Sequence, residues 1–262
     1  MRGGRTVDVD PVPGVDDGLL CTYLEGPVLA HLLEQRGAAV LHGSVVRFGC
    51  EAVAFLGGSG SGKSTLAAAL RFRGHRVIGD DLTPLVISEG RVVVLPTSGS
   101  LRLWDDSLRG LELDPSRFEC LHDGVEKRVL PIATAHRDRD RAPRPRTAIA
   151  NREPRPRLRL RRGLRARERL PTDGPIPLGF VCVLDQSPAI AFAPLAPQDA
   201  LRELLRQSYC VHLLERVVSA ARFRILAQAV RQAPTARLSY PRDFGQLSAV
   251  VDRLEEAFHV AS

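Results

Sequence analysis

The chain has 262 residues, of which 44% are hydrophobic and 5% aromatic, enough to build one large domain with a buried core. No apolar run approaches the roughly 18 residues of a membrane-spanning helix, and the first residues lack the apolar stretch of a secretory signal, so no membrane partner is expected. The net charge of +7 is uneven, because residues 137–169 hold 14 arginines against four acids. Five widely spaced cysteines without a CxxC pair favour a reducing, cytoplasmic setting over disulfides or a zinc site.

The first half of the chain shows a regular succession of apolar runs. Residues 1–36 form an N-terminal segment, polar at first and then helical, in which Leu29, Leu32 and Leu33 share one helix face. Near-continuous apolar runs are typical of buried strands, and a glycine after an amphipathic run is typical of a helix end. We therefore predict strands in 39–48, 50–58 and 75–81, a helix in 62–74, and a hairpin in 83–96 that turns at Glu89 and Gly90.

The second half is less regular. Residues 101–111 fit a strand or a helix, and both remain open. Residues 137–175 are rich in Arg and Pro with little periodicity, so we interpret them as a flexible insertion. Further on we predict a buried strand in 176–185, helices within 198–233 and a last amphipathic helix in 247–258. We expect residues 37–262 to form one α/β domain.

The positive charge of residues 137–169 allows two interpretations. It could attract a nucleic acid or an acidic peptide leader, since phosphate affinity needs only positive charge. It could instead belong to a disordered insertion of biased composition without a dedicated partner. The segment has no aromatic residue that could stack on bases, and the chain has no recognisable nucleic-acid-binding motif, which argues against a nucleic-acid partner.

A glycine-rich loop lies between the second predicted strand and the helix that follows it. Its sequence GGSGSGKST fits the P-loop (Walker A) pattern GxxxxGK[ST]. Glycines let backbone N–H groups surround phosphate oxygens, and the positive end of the helix dipole adds attraction. In such a loop the lysine reaches the β- and γ-phosphates and the serine coordinates Mg²⁺. The predicted nucleotide site comprises Gly57, Gly58, Ser59, Gly60, Ser61, Gly62, Lys63, Ser64 and Thr65.

Two adjacent carboxylates, Asp80 and Asp81, end the strand that follows this helix. Aspartate pairs are common in plain turns, but neighbouring like charges are also tolerated where a cation or a proton-transfer role holds them. In a strand–helix–strand unit we expect adjacent strands whose ends lie at the same edge of the sheet, where ligands bind. One carboxylate can then hold the Mg²⁺ that bridges the phosphates, and the other can take a proton from an attacking hydroxyl.

Three stretches resemble the catalytic domain of HPr kinase/phosphorylase: LHGSVV at 41–46, FLGGSGSGKSTLAAAL at 55–70 and RGHRVIGDDL at 73–82. That family places a His-Gly pair on the strand before the P-loop strand, and paired aspartates at this distance after the P-loop helix. A weaker likeness to the smaller HPr-kinase-like proteins found beside peptide-modification genes extends through 127–132, 202–209 and 233–247. The resemblance implies a P-loop domain of the HPr kinase/PEP carboxykinase type, with a mixed sheet and C-terminal helices, that uses ATP and Mg²⁺.

The resemblance also implies roles for individual residues. Lys63 binds and orients the phosphates, while Ser64 and Asp81 hold Mg²⁺. Asp80 is the base toward the acceptor hydroxyl, and His42 is an electrostatic or proton-handling group at the phosphate edge. For His42, a purely structural place at the strand end is the alternative.

Two features depart from that family. Its bifunctional members carry a separate N-terminal domain, whereas about 40 residues precede His42 here. Their loop tied to the phosphorylase reaction is not recognisable in SLRLWDDSLRG, residues 100–110, so phosphorolysis is not implied. Arg102 lies in the region that would touch phosphate or substrate. Lys127 and Arg128 are either charge clamps or two solvated basic residues.

The sequence supports one main hypothesis and two alternatives. The main hypothesis is a cytoplasmic, ATP-dependent kinase that transfers the γ-phosphoryl group to a Ser or Thr hydroxyl of a small protein or peptide. The alternatives are a nucleotide-hydrolysing switch, and a scaffold that binds nucleotide and a leader peptide without phosphotransfer. Because bifunctional members of the resembling family form hexamers, a homo-oligomer is left open.

Overall fold

A computed structural model describes residues 6–97, 99–132, 157–160, 174–209 and 220–259. The strands are β1 Thr6–Val9, β2 Ala39–Phe48, β3 Glu51–Leu56, β4 Arg76–Gly79, β5 Leu82–Ser88, β6 Arg91–Val94, β7 Ser100–Trp104, β8 Glu119–Cys120, β9 Lys127–Pro131, β10 Arg157–Leu160, β11 Ile176–Gln186, β12 Ala191–Pro194 and β13 Thr235–Tyr240. The α-helices are α1 Asp17–Tyr23, α2 Leu29–Gln35, α3 Lys63–Phe72, α4 Asp105–Gly110, α5 Pro197–Arg206, α6 Ala220–Gln232 and α7 Leu247–His259. A π-helix, Leu24–Val28, joins α1 to α2, and 3₁₀ helices lie at Pro115–Arg117 and Phe244–Gln246. None of the helices in the described ranges is long and apolar enough to cross a membrane.

Most of the predicted elements are confirmed. β2 spans the predicted 39–48, while β3, α3 and β4 fall inside their predicted ranges, and the β5–β6 hairpin turns at Glu89 and Gly90. The open stretch 101–111 divides into the end of strand β7 and helix α4. The predicted flexible insertion, 137–175, lies mostly outside the described residues. Within it, β10 pairs in parallel with β1, a strand that the sequence reasoning did not predict.

The large sheet is mixed, with the order β12-β13-β11-β3-β2-β5-β6 and with β4 beside β2. Strands β3, β11 and β13 run parallel. β6 also pairs with the start of β11, so that β11, β3, β2, β5 and β6 close into a ring. The predicted strand–helix–strand unit needs one correction, because β2 lies between β3 and β4 and pairs antiparallel with both. β3 and β4 are therefore not adjacent, but they remain parallel and end at the same edge.

Two apolar clusters pack on opposite faces of β3, as the alternation of side chains along a strand requires. Val53 and Phe55 belong to the cluster shared with α3 and α7. Ala54 and Leu56 belong to the cluster that the ring shares with α6. Because Leu66 of α3 is fully buried in the first cluster, the helix that follows the glycine-rich loop is fixed against the sheet.

The side chain of Gln232, at the end of α6, closes the ring between β6 and β11. Its Oε1 accepts a hydrogen bond from Val92 N (2.7 Å), and its Nε2 donates to Val92 O (2.8 Å) and Leu178 O (2.9 Å). Val92 and Leu178 are buried, so water cannot readily replace the amide.

We predict that Gln232→Ala lowers the free energy of unfolding by about 1–3 kcal/mol, because buried backbone groups lose their partners. Gln228→Ala is the matched control, since this amide lies one turn earlier on α6 and donates to Gly90 O at the exposed surface. The control should cost about 0.5 kcal/mol or less. Urea denaturation measures both variants, and equal losses would mean that ring closure does not depend on Gln232.

Candidate active site

Four strand ends meet at one edge of the large sheet. β3 ends where the glycine-rich loop (residues 57–62) begins, and β4 ends next to Asp80. β11 and β13 run parallel to β3 and end beside the same loop. Gln186 of β11 lies 3.5 Å from Gly60 O, and the hydroxyl of Tyr240 in β13 donates to Ser61 O at 2.8 Å. The carboxyl ends of parallel strands are where α/β proteins bind ligands.

The glycine-rich loop has the local structure that the sequence predicts. Gly62 closes it with a φ of 93°, a left-handed conformation that residues with a Cβ disfavour. α3 begins at Lys63, so the free N–H groups of its first turn and the positive end of its dipole lie at the loop. The Lys63 ammonium donates to Gly57 O (2.8 Å) and Gly58 O (2.9 Å). A cation and a helix start thus lie together, the combination that binds phosphate groups.

Asp80 is the buried centre of the site, with 7% of its surface exposed. Its Oδ1 accepts hydrogen bonds from Ser44 Oγ (2.6 Å) and Ser64 Oγ (2.9 Å), and its Oδ2 accepts one from Arg102 N (3.0 Å). These donors come from β2, α3 and β7, so one carboxylate joins three elements to the end of β4. Burial, and next the charge of Asp81, raise the pKa of Asp80 to about 6.

The side chain of Asp81 has different surroundings from that of Asp80. Its φ of 63° is left-handed, a conformation that Asp adopts more readily than most residues with a side chain. Its Oδ2 lies 3.3 Å from Arg102 Nη1, and its carbonyl oxygen lies 3.1 Å from His42 Nδ1. The Asp81 side chain is 23% exposed and lines a cavity, whereas Asp80 is not among the lining residues. The two neighbouring carboxylates therefore have different surroundings and can have different roles.

The N-terminal segment reaches this site through Arg102. The guanidinium contacts Glu25 Oε2 at 2.7 Å as well as Asp81, and Glu25 lies in the π-helix, a rare element that frequently occurs at functional sites. His42 faces Tyr209 edge-on, with 5.9 Å between the ring centroids. Burial, and next the charge of Lys63, lower the pKa of His42, which is therefore neutral at physiological pH.

The cavity has a volume of about 430 Å³, within the range of small-ligand sites. Two ends of the cavity differ in their lining residues. The carboxylate end consists of His42, Asp81 and Arg102, with Tyr23 and Tyr209 as further walls. The aromatic end consists of residues 240–244, which are the last residue of β13 and the four residues after it. The glycine-rich loop touches the aromatic end, since Ser61 accepts a hydrogen bond from Tyr240, and Ser64 at the start of α3 contacts Asp80 next to the carboxylate end.

The structure brings the predicted site residues together but pairs them differently. The resemblance implied that Ser64 and Asp81 hold Mg²⁺ and that Asp80 is the base. Instead, the Ser64 hydroxyl contacts Asp80, and Asp81 lines the cavity. A base must reach the acceptor, whereas two metal ligands must lie close together. The geometry therefore favours the reverse division of roles.

The two candidate charge clamps, Lys127 and Arg128, have different surroundings in the structure. Arg128 Nε donates to Asp105 Oδ1 at 2.9 Å, so its charge is engaged in an ion pair. Lys127 lies with its Nζ 5.0 Å from the centre of the Trp104 ring, and both residues line the cavity. Lys127 therefore remains a candidate for contact with a ligand, and Arg128 has a structural role.

Several residues of the site were missed by sequence reasoning. Ser44 follows His42 by two positions, so both lie on one face of β2, and this spacing is the signal that could have found it. Thr65, predicted as part of the loop, donates to Ser107 Oγ at 3.0 Å. Neither Ser107 nor Tyr240 is marked by a local pattern, because Ser107 contacts Thr65 of α3 and Tyr240 contacts Ser61 of the glycine-rich loop, both far away in sequence.

No protein-family model and no curated protein matches this sequence. Among solved structures, the chain is similar to one described as the structure of the Hpr(Ser) kinase/phosphatase from Coxiella burnetii. The TM-score is 0.34 and the sequence identity 10%, over 85% of this chain and 99% of that chain.

We predict that Gly62→Ala destabilises the protein more than Gly60→Ala. Both residues have positive φ angles, so alanine introduces comparable backbone strain at each. A Cβ at Gly62 would collide with the Tyr240 hydroxyl, whereas one at Gly60 would meet nothing within 4 Å. Tyr240 is buried and cannot move away without losing its hydrogen bond to Ser61, so the added cost is about 1–3 kcal/mol. Denaturant unfolding compares the two variants, and similar values would show that Tyr240 does not fix the loop.

Proposed function

We propose that the protein is an ATP-dependent kinase that transfers the γ-phosphoryl group of MgATP to a Ser or Thr hydroxyl of a small protein or peptide. The observation that carries this proposal is the 2.9 Å contact between the hydroxyl of Ser64 and Asp80, at the end of the glycine-rich loop. P-loop enzymes hold their magnesium ion with a loop Ser or Thr and an Asp. Beside this pair, Asp81 supplies a second carboxylate that is open to the cavity.

The glycine-rich loop would hold the triphosphate through the N–H groups at the start of α3 and through Lys63. The ammonium of Lys63 contacts Gly57 O and Gly58 O, and phosphate oxygens would replace these two acceptors. Burial lowers the pKa of Lys63, but Asp81 and Asp80 oppose this shift. The same carboxylates would therefore keep the phosphate-binding cation charged.

The oxygen atoms of Ser64 and Asp80 fit Mg²⁺. This hard cation prefers oxygen ligands, and it usually combines one or two protein groups with substrate phosphates and waters. When bound, the ion neutralises charge that develops on the β- and γ-phosphates. Asp80 is held by Ser44 and by the N–H of Arg102, so its position does not depend on the ligand.

Asp81 would accept the proton of the acceptor hydroxyl. It lines the cavity, and Arg102 holds one of its oxygens while the side chain stays partly exposed. Geometry is the first requirement of a general base, and Asp81 meets it better than the enclosed Asp80. The neutral ring of His42 lines the cavity beside it and can donate or accept a hydrogen bond at the phosphate edge.

The carboxylate end of the cavity has walls suited to an acceptor. Beyond Asp81 it is lined by Thr22, Tyr23, Pro27 and Tyr209, which offer aromatic and apolar surface next to the site of chemistry. An enzyme that only hydrolyses nucleotide has to position a water molecule, and it does not need such walls. This feature favours phosphoryl transfer over the nucleotide-hydrolysing switch.

Incubation with γ-labelled ATP, Mg²⁺ and small proteins and peptides from the same host tests the proposal. We predict a labelled product that carries phosphate on Ser or Thr. Asp81→Asn should lower transfer by about 10²-fold or more and keep Mg²⁺-dependent nucleotide affinity. Asp80→Asn should lose that affinity as well, because it removes the carboxylate next to Ser64. Circular dichroism of both variants controls for folding.

Other outcomes would support one of the alternative functions or change the roles assigned to Asp80 and Asp81. Nucleotide hydrolysis without a labelled product, across a broad set of acceptors, would support the switch, and binding without turnover would support the scaffold. Full transfer by Asp81→Asn would contradict its role as base. Loss of Mg²⁺-dependent affinity in Asp81→Asn, with Asp80→Asn unaffected, would restore the division of roles that the family resemblance implies.

Lys127, a further cavity-lining cation, provides an independent test of the proposed phosphate site. Lys127 lines the cavity together with His42 and Lys63, and its charge helps to lower the pKa of both, so we expect it to act on a phosphate group bound there. We predict that Lys127→Ala lowers kcat about tenfold or more, because a cation near the transferred phosphoryl stabilises the transition state. Arg128→Ala is the matched control, since it removes the same charge from the ion pair with Asp105. Steady-state kinetics should show little change in kcat for the control. Equal decreases in kcat for both variants would mean that Lys127 has no specific role at the site.

A further inference from the structure

The aromatic end of the cavity has no role in the chemistry proposed above, yet it is built as firmly as the carboxylate end. Tyr240 donates to Ser61 O at 2.8 Å, which fixes the start of this segment against the glycine-rich loop. Further on, the Asp243 side chain accepts a hydrogen bond from Gly245 N and caps the short 3₁₀ helix that contains Phe244. The segment is therefore held at both ends of its turn.

Phe244 is the most exposed apolar group of this segment. Its ring lines the cavity, and 40% of the residue is exposed. One side of the ring lies against Gly110 at the end of α4, so closely that a Cβ added to Gly110 would collide with it. The backbone of Gly110 thus serves as a support for the ring of this partly exposed, cavity-lining residue.

The orientation of a nucleotide in the cavity follows from the proposed metal site. Ser64 and Asp80 would hold the Mg²⁺ that neutralises the β- and γ-phosphates, so these phosphates would lie beside this pair. The nucleoside must then extend away from the carboxylate end. The first turn of α3 leads there through Thr65, whose hydroxyl donates to Ser107 of α4, and α4 is also the helix that supports Phe244.

We propose that Phe244 is the stacking platform for the base of the nucleoside triphosphate, with Gly110 as the support that sets its position. This inference rests on the proposed nucleotide-dependent function and adds the nucleoside-binding subsite to it. Aromatic side chains stack on bases of any identity, since every base has a π face. The polar pair Arg242 and Asp106, 3.9 Å apart and largely exposed, lies at the rim, where it can reach ribose or base edges.

Comparison of MgATP with magnesium tripolyphosphate tests the subsite, because the second ligand has the phosphates but no nucleoside. We predict that Phe244→Leu weakens MgATP binding about tenfold or more and changes tripolyphosphate binding by less than about twofold. Leucine preserves apolar contact with Gly110, so the variant should fold. Phe244→Tyr keeps the aromatic face and should keep both affinities. Isothermal titration calorimetry measures them, and the fluorescence of Trp104, the single tryptophan of the chain, gives a second readout from within the cavity.

Gly110→Ala tests the support without a change in the ring itself. The added Cβ should displace Phe244 and reproduce the selective loss of MgATP affinity. Unchanged MgATP binding in Phe244→Leu would overturn the inference. Equal weakening of MgATP and tripolyphosphate would overturn it as well, because Phe244 would then shape the loop and not contact the base. If the unaltered protein binds neither ligand, the proposed function itself fails, and this outcome is distinct from both of the others.

Discussion

The site depends on the three hydrogen bonds that a single buried carboxylate accepts. Asp80 joins β2, α3 and β7 to the end of β4 through Ser44, Ser64 and the N–H of Arg102. Burial of the charge is unfavourable, as the raised pKa of Asp80 reflects, and the three donors offset part of this cost. Because the carboxylate ties the start of α3 to the end of β4, the same hydrogen bonds fix the position of the glycine-rich loop relative to this edge of the sheet.

The sheet topology makes this convergence possible. A purely parallel unit would place β3 and β4 side by side, and only their ends would face a ligand. Here the antiparallel β2 lies between them and continues past the end of β3, so that its side chains reach the edge in mid-strand. His42 and Ser44, two positions apart on one face of β2, therefore contact Asp81 and Asp80. Backbone pairing, not loop flexibility, sets the distance between these groups.

Much of this could be predicted from sequence because it is local. The glycine-rich loop, α3 and the apolar strands have signals within a few residues, and the structure confirms their positions. The strand insertion between β3 and β4 could not be predicted in this way, because strand order depends on pairings between distant segments. The same reason applies to Ser107, Tyr240 and Phe244, which act on the loop or the cavity from far along the chain. Stretch 101–111 was ambiguous because it contains both a strand end and a short helix.

The positive φ of Asp81 explains how two like charges can follow each other at this edge. In an extended strand, neighbouring side chains point to opposite faces, but the strand has ended, and a left-handed residue redirects the chain. Among the described residues, the donors that hydrogen-bond to Asp80 are two hydroxyls and a backbone N–H, whereas Asp81 contacts the guanidinium of Arg102. Arg102 is shared in turn with Glu25 of the π-helix, so the N-terminal segment takes part in balancing the charges of the site. A phosphate that approaches Arg102 would have to compete with both carboxylates. Ligand binding at Arg102 would therefore be coupled to the position of the π-helix that carries Glu25.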